Sequence, residues 1–78
     1  MTNTEINKAI GAKLKAARRN CKLKGHEVAS FLDITVQSVY NIERGRNLSS
    51  MEKIMWLCEL YGVKFIDLMP EELKPLVA

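Results

Sequence analysis

The sequence predicts an all-α protein, a compact bundle of about five short helices. Apolar residues recur every three or four positions in successive stretches, the spacing of a helix face. Capping residues and glycines break that pattern at short intervals, and no stretch reads as a β-strand. With 78 residues the chain suits one domain, 1–78, with a helical core at about 5–69 and a short tail at 70–78.

The first helix is expected from about Glu5 to Asn20, capped by Thr4. Ile6, Ile10, Leu14, Ala17 and Cys21 step by four, four, three and four, which makes one buried stripe. Lys8, Lys15, Arg19 and Lys22 lie off it. Gly11 costs about 1 kcal/mol relative to Ala within a helix, so close packing against another helix is its expected reason. Residues 21–25 connect to a second helix. That helix starts poorly, because Lys24 cannot accept a capping bond and Gly25 is a weak helix former. Glu27 in its first turn suits the helix dipole.

Val28, Ala29 and Leu32 share one face of the second helix, and Val36, Val39 and Ile42 recur at helical spacing in a third. Between them Asp33 tolerates a left-handed turn, Ile34 plugs the corner and Thr35 caps the next helix. Ala29 is small where the two helices cross. This is the layout of a helix-turn-helix, whose second helix enters the DNA major groove. The third helix is expected from about Val36 to Arg44, with Gly45 as a left-handed cap. Residues 46–49 form a loop. Ser50 caps a fourth helix, Met51 to about Tyr61, which Gly62 stops; Ile54, Leu57, Cys58 and Tyr61 form its inner face. Val63 leads into a short fifth helix around Phe65 to Met69. Pro70 and Pro75 bracket a tail with one helical turn, Glu71 to Lys74.

This order and spacing resemble the phage-repressor family of helix-turn-helix proteins (λ-repressor-like, of the XRE or Cro/CI type). The resemblance rests on Leu23, Val28, Ala29, Leu32, Ile34, Thr35, Val39, Ile42 and the run Glu43-Arg44-Gly45. Ile10-Gly11, Leu14 and Ala17-Arg18 match before it. Ser50-Met51, Ile54, Leu57, Tyr61-Gly62-Val63, Phe65 and Leu68 match after it, so that about residues 6–69 are covered. The chain departs at Asp33, where the family often has Gly. It departs again at Lys24-Gly25, where Thr or Ser then Gln are usual, and at Ser49, where Pro is frequent. The resemblance implies a sequence-specific transcriptional regulator, a Cro-like repressor that binds a two-fold symmetric operator on double-stranded DNA as a homodimer. It also implies a partly buried ion pair between Arg18 and Glu43, tying the first helix to the third.

Within that framework Val36, Gln37, Tyr40 and Asn41 project outward from the third helix as candidate base contacts. Gln and Asn can pair with the donor and acceptor of adenine, and Val36 can meet a thymine methyl. Lys24, Thr35, Arg44, Arg46 and Asn47 surround them as candidate phosphate contacts, which position a duplex without reading it. The charge agrees. Residues 1–48 hold nine Lys or Arg against four acids, and residues 49–78 hold three against five. Trp56 falls off the inner face of the fourth helix, where with Met55 and Ile66 it can form an exposed apolar patch. Trp56, Phe65 and Ile66 are therefore candidate dimer contacts.

Little in the chain suits catalysis: one His, no nucleophile–base spacing, no phosphate-cradling Gly loop and no carboxylate cluster. Cys21 and Cys58 lack metal-ligand spacing and are expected as buried, reduced thiols, with a disulfide as the alternative. No cofactor or metal is implied. No stretch reads as a membrane span or leader, so a cytoplasmic place in a bacterial or phage-infected cell is expected. Two further readings keep the helices. One is an antitoxin or controller protein that regulates its own promoter and binds a protein partner. The other is a protein-interaction module without DNA, which would show an apolar third helix rather than a polar one ringed by cations.

Overall fold

In the computed structural model, which describes residues 2–46 and 51–73, the first helix begins at Thr2. Thr2 Oγ1 accepts from the Glu5 backbone N–H at 3.2 Å and donates to the Glu5 carboxylate at 3.1 Å. The expected cap at Thr4 is thereby corrected: Thr2 has an acidic residue three positions on, the capping-box spacing, and Thr4 does not. Helix α1 spans Asn3–Asn20. Ile10, Leu14 and Ala17 are buried along its stripe and Ile6 is half-buried. Cys21 is exposed, contrary to expectation. It stands past the last helical residue, where its thiol donates to the Tyr61 carbonyl at 3.5 Å but is not enclosed.

Helices α2 (Gly25–Leu32) and α3 (Val36–Glu43) follow, then α4 (Met51–Tyr61), α5 (Phe65–Leu68) and a 3₁₀ turn, Glu71–Leu73. No strand occurs among the described residues. The expected Ser50 cap lies outside them. The weak start foreseen for α2 is partly offset, because the Lys24 backbone N–H donates to the Glu27 carboxylate at 2.8 Å.

Helix ends are closed by left-handed residues: Lys22, Asp33, Gly45 and Gly62 all have φ between 56° and 72°. At Gly45 the N–H donates to the Ile42 carbonyl and the Arg46 N–H to the Asn41 carbonyl, the paired bonds of a Schellman cap. Lys22 adopts this conformation without the glycine that favours it, and the sequence reading had no signal for it.

Helix α3 packs against both α1 and α2, while α4 and α5 pack against α1 and each other. Leu14 and Val28 are the most completely enclosed large side chains, with Val39, Ile42, Ile54, Leu57, Cys58, Tyr61 and Leu68 around them. Gly11 is where α1 meets the end of α3: a Cβ there would stand 2.5 Å from the carbonyl oxygens of Ile42 and Glu43. Across the bundle, Lys13 Nζ donates to the Met69 carbonyl at 2.9 Å, tying α1 to the end of α5.

Candidate nucleic-acid interface

The corner between α2 and α3 is built from three residues. Asp33 turns left-handed at φ 56°, ψ 46°, and the Ile34 N–H returns to the Ala29 carbonyl at 3.0 Å. Ile34 is half-buried against the core. Thr35 is extended, and its hydroxyl oxygen accepts from the Ser38 N–H at 3.1 Å. Thr35 thus has a capping task of its own, while remaining exposed at the tip of α3.

Val39, Ile42 and Glu43 face inward from α3. Val36, Gln37 and Tyr40 are exposed and Asn41 is half-buried. Gln37 Nε2 donates to Asn41 Oδ1 at 3.2 Å, one helical turn along. The bond uses one of the two amide hydrogens of the exposed Gln37 and leaves its carbonyl oxygen and the other hydrogen, an acceptor and a donor of the kind that adenine can meet. Tyr40 is anchored more firmly than the sequence suggested. Its ring lies over Gly25, where a Cβ would stand 2.6 Å from a ring carbon. The glycine that weakens the start of α2 is therefore the space into which Tyr40 packs.

The floor under α3 is ionic. Arg18 Nε donates to Glu43 Oε2 at 2.7 Å and Arg18 Nη2 to Glu43 Oε1 at 3.2 Å, a two-pronged pair with both side chains a tenth exposed or less. Arg18 Nη1 also donates to the Leu23 carbonyl at 2.9 Å. The hydrogen bond to Glu43 holds the Arg18 guanidinium protonated still more firmly, against the opposing effect of burial. This pair joins α1 to the foot of α3.

Lys24 is exposed at the start of α2, and Arg44 and Arg46 are exposed past the end of α3. Asn47 lies outside the described residues. The sequence reading missed Lys8, whose backbone lies against Gly45, between the two arginines. The exposed Lys8 joins that basic corner from a helix far away in sequence, so no local pattern marks it. Trp56 is exposed, whereas Phe65 and Ile66 are half-buried and Phe65 packs against the core. The neighbours of Trp56 in its groove are Phe31 and Leu32 of α2 with Glu52 and Lys53 of α4. Phe31, which the sequence reading did not single out, is 57% exposed.

Among the described residues no group of three His, Cys, Asp or Glu could hold a metal ion. Both cysteines are free thiols. No helix of the described residues is long and apolar enough to cross a membrane.

Two helices locked at a left-handed corner, the second presenting a polar face between cations, define a helix-turn-helix DNA-binding domain. The comparison of families agrees: the model described as a helix-turn-helix domain matches residues 9–71. The chain belongs to that family, consistent with an XRE or Cro-like member. No curated protein and no solved structure is significantly similar to it.

Proposed function

We propose that this chain is a sequence-specific transcriptional repressor of the Cro type, which binds a two-fold symmetric operator as a homodimer. The observation that carries the reading is the outward face of α3. There Gln37 and Asn41 are bonded into one unit, with Lys24 exposed at the start of α2 and Arg44 and Arg46 exposed past the end of α3. Gln37 reads a base in the major groove, with Val36 and Asn41 beside it, and Tyr40 stands at the edge nearest the backbone. Thr35 at the helix tip, Lys24, Arg44, Arg46 and Asn47 hold the phosphates. Repression follows from occupying the operator and blocking polymerase, and the site of action is the cytoplasm of a bacterial or phage-infected cell.

The test is a salt titration of binding on a selected operator and on a scrambled duplex. Gln37→Ala costs about 1–3 kcal/mol on the operator and much less on the scrambled duplex. Arg46→Ala weakens both alike and lowers the salt slope by about one charge. Equal losses for Gln37→Ala on both duplexes would show that α3 is not the reader. A second reading, an antitoxin or controller that also binds a protein, is favoured by one feature only: the exposed apolar surface around Trp56 and Phe31.

A further inference from the structure

Away from α3, the large apolar side chains that the described residues expose are Phe31, Met51, Met55 and Trp56. Trp56 is the middle residue of α4, five positions from Met51 and five from Tyr61, and it is 51% exposed. One groove against it is lined by Phe31, Leu32, Glu52 and Lys53, and an adjoining one by Glu52, Met55 and Glu59. The charges are placed symmetrically: Lys53 stands three residues before Trp56 and Glu59 three residues after it.

We propose that α4 packs antiparallel against α4 of a second copy of this chain, with Trp56 on the two-fold axis. In a two-fold interface each contact occurs twice, with the roles exchanged. About an axis at Trp56, Lys53 faces Glu59 of the second copy while Glu59 faces its Lys53, so a single arrangement yields two opposite-charge pairs. The neighbouring register, with the axis between Met55 and Trp56, sets Glu52 against Glu59 twice, and like charges oppose it. The charge pattern therefore selects both the partner and the register. Because Trp56 is central, the helices overlap end to end, and Phe31 and Met55 close over the two indoles. No residue of α3 lines either groove, so the contact uses none of the side chains assigned to DNA on that helix. This deepens the homodimer part of the reading above and supplies the contact that makes it.

Sedimentation equilibrium of the full chain without DNA tests it. The wild type forms a dimer. Lys53→Glu and Glu59→Lys each weaken that dimer about tenfold or more, since each sets like charges together twice. An equimolar mixture of the two variants recovers it, because in the mixed dimer every introduced charge meets its opposite. Circular dichroism establishes that both variants are folded. Fluorescence of Trp56, the one tryptophan of the chain, needs no substitution and shifts to the red as the wild type is diluted. A wild type that sediments as a monomer with concentration-independent fluorescence overturns the proposal and leaves this face to a different protein. A wild-type dimer whose mixed variants associate no better than either alone overturns it as well. Neither result touches the operator titration of Gln37→Ala, so the failure of one reading is distinguishable from the failure of the other.

Discussion

Glu43 is a surface-type residue held inside the fold by one partner. Its carboxylate takes both prongs of Arg18, and both side chains are almost wholly enclosed. Glu43→Ala would strand the Arg18 guanidinium with the Leu23 carbonyl as its remaining described bond. The expected cost is about 3–5 kcal/mol, a large part of a small domain's stability. The thermal midpoint should fall by more than about 10 °C. Equal midpoints for wild type and variant would remove the pair as a structural tie. Tyr61 makes a different prediction. Burial, reinforced by the Glu43 carboxylate, pushes its phenol well above the ordinary value of 10, and burial pushes the Cys58 thiol up from 9. In the unfolded chain both ionise at their ordinary values, while the folded chain keeps their protons. Stability is therefore complete below the unfolded values and falls as pH rises beyond them toward the raised folded ones. Tyr61→Phe should flatten that alkaline fall by up to one proton. Denaturant midpoints measured from neutral pH to about pH 11 will read it, and an unchanged slope would count against a buried, protonated phenol.

At the scale of the helices, two glycine substitutions should act with opposite signs to their intrinsic tendencies. Gly11→Ala would favour an isolated helix by about 1 kcal/mol. In place, the new methyl would meet backbone carbonyl oxygens of α3 at 2.5 Å, and backbone cannot rotate aside as a flexible side chain would. Helices α1 and α3 must part, so Gly11→Ala should destabilise by about 1–3 kcal/mol. Lys22 ends α1 at φ 58°, where a Cβ costs about 1–2 kcal/mol. Glycine's extra freedom in the unfolded chain returns roughly 0.5–1 of that. Lys22→Gly should therefore stabilise by up to about 1 kcal/mol. Chemical denaturation of both variants measures this, and a gain for Gly11→Ala would mean that the helices are not in the close contact described.

For the whole molecule, charge is uneven along the chain. The first 48 residues carry a net +5 and the last 30 a net −2. Lys24 is exposed at the start of α2 and Arg44 and Arg46 past the end of α3, and each phosphate neutralised contributes about −0.9 to the slope of log K against log salt. Three such contacts predict a slope of about −3 for one copy on a half-site, and about −5 for a dimer on the full operator. Binding to duplex DNA measured across a salt series checks both values. A slope near zero would exclude a phosphate-held complex.

The sequence by itself determined most features that depend on neighbours a few positions apart, the left-handed Lys22 being an exception. The stripe of α1, the inner face of α4, the Asp33-Ile34-Thr35 corner and the stops at Gly45 and Gly62 are all short-range consequences of helical spacing, capping and left-handed tolerance. The Thr2–Glu5 cap and the Gln37–Asn41 bond belong to the same class, since their spacings are readable. Tertiary structure alone decided what lies beside what. Tyr40 over Gly25, Phe31 beside Trp56 and Lys8 against Gly45 join residues 15 to 37 positions apart in sequence. Periodicity tells which face of a helix turns inward. It carries nothing about the angle at which two helices cross, and that angle is set by how Gly11, Ala29 and the enclosed Leu14 and Val28 let the elements approach. The basic corner and the apolar groove follow from that packing, which is why the groove's Phe31 and the corner's Lys8 came from the fold.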